Sequence, residues 1–176
     1  VMKTDEAVAE TIENNVRKLI INESPVDPAY YDKMSKLLDA LIEQRRQGVV
    51  SYREYLEKIA NLTRQATVPG GTGSGYPPDI NTPALRALFN NLHSRSPDLA
   101  VAVDAAVRAS LQAGWRSNVM KVKKVRLAIR YVLATVIPPD PGRVVTDTGV
   151  TPVPPLDLEQ ETDRILDLVK QQHHDY

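Results

Sequence analysis

The sequence predicts an all-α protein, a multi-helix bundle of about seven helices with two Pro/Gly-rich linkers. Apolar residues recur at helical spacing along most of the chain. Cap-plus-proline signatures fall where those runs begin, and no strand-like alternation of any length occurs between them. A chain of 176 residues buries roughly 70% of its unfolded surface, enough for a real core.

Residues 1–66 read as a three-helix segment. Val8, Ile12, Val16, Leu19 and Ile20 form the first apolar stripe, with Thr4 as candidate cap. Asp27-Pro28 opens the second helix, because the aspartate can accept from orphan N–H groups and proline lacks only an N–H that would be unpaired there anyway. Its stripe is Tyr30, Tyr31, Met34, Leu37, Leu38, Leu41 and Ile42, and Gly48 suits its end. Ser51 and Glu54 have the spacing of a capping box, with Val50 and Tyr55 placed as a hydrophobic staple. The third helix then carries Tyr52, Tyr55, Leu56, Ile59 and Leu62, and the four tyrosines share these stripes as core or boundary residues.

Residues 67–81, TVPGGTGSGYPPDIN, hold four glycines and three prolines and read as a linker. The second helical segment, 82–137, opens with Thr82-Pro83 before Leu85, Leu88, Phe89 and Leu92. Ser96-Pro97-Asp98 repeats the signature before Leu99, Val103, Val107 and Leu111, and Gly114 is expected to close that run. A sixth helix is expected over 118–137 on the stripe Val122, Val125, Ile129, Val132, Leu133 and Val136. Six of the 13 prolines lie in 138–156, a second linker of extended character. The segment 157–176 reads as an acidic C-terminal helix with Leu158, Ile165, Leu166 and Val169 on one side, its acids at the end the helix dipole favours.

Composition excludes several classes. There is no cysteine, so no disulfide framework, thiol nucleophile or thiolate metal site. No apolar run approaches a membrane span, and the opening VMKTDEAVAE has no signal-peptide pattern, so a soluble, cytoplasmic protein with no membrane partner is expected. The glycines from Gly70 to Gly75 lead into Tyr76-Pro77-Pro78 and lack the Gly-Lys-Ser/Thr ending of a phosphate-binding loop. No Asp-x-Lys or Glu-x-Lys tripeptide exists to support a common metal-dependent nuclease signature. His173 and His174 diverge by about 100° on a helix and His93 sits in a short loop, so exposed residues are expected rather than metal ligands. No catalytic, cofactor-binding or metal-binding residue can be nominated.

Charge distribution is the informative feature. The 22 basic and 22 acidic side chains cancel, yet the cancellation is uneven along the chain. Residues 1–104 carry 14 acids and 12 bases, residues 105–139 carry seven bases and no acid, and residues 140–176 carry eight acids and three bases. On the sixth helix Lys123, Arg126 and Arg130 lie opposite or beside the apolar stripe, and Lys121 and Lys124 flank its other edge. With Trp115 and Arg116 just upstream, these seven residues are the candidate surface for a partner protein or for duplex DNA phosphates. The alternatives are a solvated face beside a core tryptophan, or a basic face covered by the acidic terminal helix. Placement of Glu159, Glu161 and Asp163 over the basic helix decides for the last of these.

Several segments in the same order resemble the carboxy-terminal region of the restriction (R, or motor) subunit of type I restriction-modification enzymes. They are ENNVRKLI at 13–20, YYDKMSKLLDALIEQRRQG at 30–48, YREYLEKIANL at 52–62, TPALRALFNNL at 82–92, AVDAAVRASLQAGWRSN at 102–118, KVKKVRLAIRYVL at 121–133 and ILDLVKQQHHDY at 165–176. The two linkers depart from the family's pattern. The resemblance implies a non-catalytic helical assembly module at the end of such a subunit, docking an ATP-dependent DNA translocase and nuclease onto the methyltransferase (modification) subunit. It implies no cofactor in this chain, with ATP and Mg2+ belonging to the parent subunit, an ATP-dependent site-specific deoxyribonuclease. The family's phosphate-binding loop, motor motifs and nuclease carboxylates have no counterpart among these residues.

Overall fold

In the computed structural model the described residues are 2–68, 75–137 and 156–176, with side chains described from residue 5 onward. The expected linker residues 69–74 and 138–155 lie outside them. Among the described residues the chain forms α1 (Met2–Glu23), α2 (Pro28–Arg46), α3 (Tyr52–Ala66), α4 (Pro83–Asn91), α5 (Pro97–Ser110), α6 (Val119–Leu133) and α7 (Leu158–Gln171), with a 3-10 turn at Trp115–Ser117 and no strand. The protein is all-α. It divides into two compact units, Val1–Tyr76 and Pro77–Tyr176.

Local chemistry sets most helix ends. Asp27, Thr82 and Ser96 each accept a backbone N–H two or three residues inside their helix, with proline at the first helical position. The Ser51–Glu54 capping box is closed in both directions. Helix α2 ends in a Schellman motif: Gly48 N–H donates to Arg45 O and Val49 N–H to Gln44 O, with Gly48 at φ 68° in the left-handed region.

Several expected ends differ, among them that of the C-terminal helix, which stops at Gln171 rather than running to residue 176. Helix α1 already runs from Met2, so Thr4 lies inside it. Helix α5 stops at Ser110, four residues before Gly114, and the chain leaves it in an extended conformation at Leu111. Gly114, at φ 66°, instead opens the 3-10 turn that directs Trp115 into the core. Helix α6 is also shorter than its pattern, ending at Leu133 and continuing in turns through Ile137.

The first unit packs α1, α2 and α3 around Val16, Ile20, Tyr31, Met34, Leu38, Tyr55, Ile59 and Leu62. Tyr31 Oη donates to Ala66 O at 3.0 Å, so a fully buried phenol has its acceptor. Val8, expected in the stripe, is half exposed, and Ala9 is buried instead. The buried line Ala9, Glu13, Val16, Ile20 keeps helical spacing but contains a carboxylate. Glu13 Oε1 accepts from Arg45 Nε at 2.9 Å and from Tyr55 Oη at 2.9 Å. One buried acid thereby ties all three helices of this unit together.

In the second unit α4 packs on α5 and α7, and α6 on α5 and α7, which closes a four-helix bundle. Leu88, Val103, Val107, Trp115, Val125, Ile129, Leu133, Ile165 and Val169 are all buried. Ile80, assigned by pattern to the first linker, is also buried, following a turn in which its N–H donates to Pro77 O. Val136, expected in the α6 stripe, is exposed, and Ile137 is buried in its place, because the helix has ended and the period no longer applies.

Candidate functional site

Helix α6 is positioned at its start by a side chain. Asn118 caps it, its Oδ1 accepting from Met120 N at 3.0 Å and Lys121 N at 3.1 Å. Its buried line, Val125, Ile129 and Leu133, faces the core. One flank faces α7, and there the basic residues meet acids. Arg126 Nη2 binds Glu159 Oε2 at 2.7 Å, Arg126 Nε binds Asp163 Oδ1 at 2.6 Å, and Arg130 Nε binds Glu159 Oε1 at 2.5 Å.

Arg126 and Arg130 are therefore covered by the acidic helix of the same chain. Glu161 is not part of this cover. It is buried and accepts from Arg164 through both oxygens, at 2.7 and 2.8 Å, while Arg164 also donates to Asn91 O.

Bonds from Arg130 and then Arg126 hold the Glu159 carboxyl below its ordinary value of 4.5. A carboxyl whose value is depressed on folding stabilises the fold above its unfolded value, and that contribution disappears as pH falls through the folded one. We therefore expect the thermal midpoint of the second unit to drop on acidification below about 4.5 in low-salt buffer. Glu159→Gln is expected to flatten that slope relative to wild type. An unchanged slope in a pH series of melts followed by Trp115 fluorescence counts against the assignment.

Trp115 and Arg116 also turn inward. Trp115 is 3% exposed and its Nε1 donates to Tyr176 O at 3.2 Å. The Arg116 guanidinium lies 4.8 Å from the Trp115 ring centroid. It donates to the backbone oxygens of Lys170, Gln172 and Tyr176 at 3.1, 3.0 and 3.1 Å, which places a cation at the carbonyl end of α7.

The last residues complete this lock. Asp175 Oδ2 accepts from Ala84 N at 2.8 Å at the start of α4. Tyr176 Oη donates to Asp104, which also accepts from Arg108 Nε at 2.8 Å. Burial, and then the bond to Asp104, raises the Tyr176 phenol above its ordinary value.

Of the seven candidate residues, four are engaged inside the fold: Trp115, Arg116, Arg126 and Arg130. Lys121 Nζ donates to Ala113 O at 2.7 Å. Lys123 and Lys124 are exposed, and neither forms an ion pair among the described residues. Sequence reasoning missed Asp104, Arg108, Arg164, Asp175 and Tyr176. The i,i+4 spacing of Asp104 and Arg108 and the i,i+3 spacing of Glu161 and Arg164 gave a readable signal, whereas Asp175 and Tyr176 gave none.

On the outward side of α6, Met120, Leu127 and Tyr131 are 72%, 61% and 78% exposed. His93, His173 and His174 are exposed, and among the described residues no group of three His, Cys, Asp or Glu side chains could hold a metal. No helix among them is long and apolar enough to cross a membrane.

Fold and site together define a two-unit helical protein in which the arginines around α6 and α7 join helices to one another. No family model, no curated protein and no solved structure matches the chain.

Proposed function

We propose that this chain is a non-catalytic helical assembly module of a type I restriction endonuclease R subunit, acting in the cytoplasm. Its role is to dock the ATP-dependent translocase and nuclease onto the methyltransferase core. Two considerations support the reading: the resemblance of seven ordered segments, and the engagement of Arg116, Arg126 and Arg130 within the fold. The second carries the choice between docking and phosphate gripping, because a guanidinium already bonded to carbonyls or carboxylates is poorly placed to neutralise a phosphate. ATP and Mg2+ belong to the parent subunit in this reading, and the chain itself holds no cofactor.

The module is expected to co-purify with the methyltransferase core and to compete with the full-length R subunit for it. Failure to compete at tens of micromolar sinks the proposal.

Exposed Lys123 and Lys124, with Lys121 beside them, favour one second reading, a contact to duplex DNA phosphates. Three such contacts predict that log Kd changes with log salt by a slope of roughly 3. Undetectable or salt-insensitive binding of the chain to duplex DNA removes this second reading.

A further inference from the structure

Deepening that docking reading and resting on it, we propose that the outward face of α6 is the docking surface, and that its occupant is an amphipathic helix of the partner protein with acidic residues beside its apolar stripe. Met120, Leu127 and Tyr131 follow one another at spacings of seven and four residues. At 100° per residue they fall within about 40° of arc and cover about 16 Å along the helix. All three are more than half exposed. Among the described residues no other helix exposes more than two large apolar side chains; Ile21, Leu37 and Val101, for example, lie on three different helices. Single exposed apolar residues are ordinary, but an aligned series on one helix is a patch that a partner can cover.

The shape and charge of the stripe select the occupant. A straight, convex line of large side chains at helical spacing is met by a second helix laying its own apolar side along it. Lys123 lies on one side of the stripe and Lys124 on the other, so the covering helix gains from carboxylates on both of its flanks. The nearest acids of this chain do not meet that need, since Glu159 and Asp163 bind Arg126 and Arg130 on the flank facing α7. Two copies of this same face would set lysine against lysine, which disfavours self-association through it. Duplex DNA would leave Met120, Leu127 and Tyr131 against a phosphate backbone that offers apolar groups nothing.

The test uses the 176-residue chain, with purified methyltransferase core as probe. Leu127→Asp/Tyr131→Asp is expected to weaken binding at least about tenfold while leaving far-UV circular dichroism and Trp115 fluorescence unchanged, because both side chains face solvent. Lys123→Glu/Lys124→Glu is expected to slow association and to flatten its salt dependence.

Undiminished binding by the aspartate variant, with wild type binding, overturns this inference and leaves the docking reading standing. No binding by wild type overturns both. An unaltered association rate in the charge-reversed variant overturns the acidic character of the partner. A wild-type dimer in sedimentation that the aspartate variant abolishes assigns the face to a second copy. Duplex DNA binding lost only on charge reversal assigns it to phosphates; either result overturns the proposal.

Discussion

Glu13→Ala is expected to destabilise the first unit by about 3–5 kcal/mol, the range for removing one partner of a buried ion pair. Glu13 and Arg45 side chains are 7% and 13% exposed, and the acid also accepts from the Tyr55 hydroxyl. The substitution strands a guanidinium and a phenol away from water at once. Arg45 lies 5.5 Å from the Tyr55 ring centroid, so the cation retains some favourable contact, but not a counter-charge.

Replacing the whole network, as Glu13→Leu/Arg45→Met/Tyr55→Phe, is expected to recover much of the loss, because no buried polar group is then left unpaired. The natural total for a domain is only about 5–15 kcal/mol, so the single change removes a large fraction of it. Urea unfolding followed by tyrosine near-UV dichroism checks this. A shift below about 1 kcal/mol for Glu13→Ala contradicts a structural role for the acid.

Trp115→Ala carries the largest expected effect in the second unit, about 3–5 kcal/mol for deleting a buried aromatic. The indole fills the core beneath the 3-10 turn and holds the Tyr176 carbonyl. Arg116→Ala is expected to lose about 1.5–3 kcal/mol, the range for hydrogen bonds to a charged group, with the effect concentrated at the carbonyl end of α7. Arg116→Lys restores little, since a lysine lacks the planar fork that reaches three separate oxygens.

Trp115 is the only tryptophan, so in the Arg116 variants its fluorescence reports unfolding of this unit alone. Hydrogen exchange of the Lys170 to Tyr176 amides tests the placement. Protection unchanged in Arg116→Ala contradicts the clamp.

Helix starts were readable because they are decided within four residues. Asp27, Ser51, Thr82 and Ser96 cap their own helices with their own side chains, and no distant group is needed. The face of α1 was less readable. A carboxylate at a core position breaks an apolar pattern, so the stripe drawn through Val8 was displaced from the buried line through Ala9 and Glu13. Gly114 misled for a related reason: glycine marks a left-handed residue, and that residue served the turn before Trp115 rather than the end of α5.

The candidate surface was legible as a concentration of charge, but not in its use. Of its arginines, Arg126 finds Glu159 across 33 residues and Arg116 finds Gln172 across 56. Spacing says which side of a helix a residue occupies and nothing about which helix arrives opposite it.

The sequence by itself determined the all-α class, the helices and most of their caps, because backbone hydrogen bonding and apolar spacing act between near neighbours. It also determined that a neutral chain contains a basic segment followed by an acidic one. Tertiary packing alone decided that Arg126 and Arg130 of the first segment pair with Glu159 and Asp163 of the second, that Trp115 belongs to the core, and that Met120, Leu127 and Tyr131 face outward. Those outcomes depend on which elements come together over long separations, and only burial of the whole apolar surface selects that arrangement.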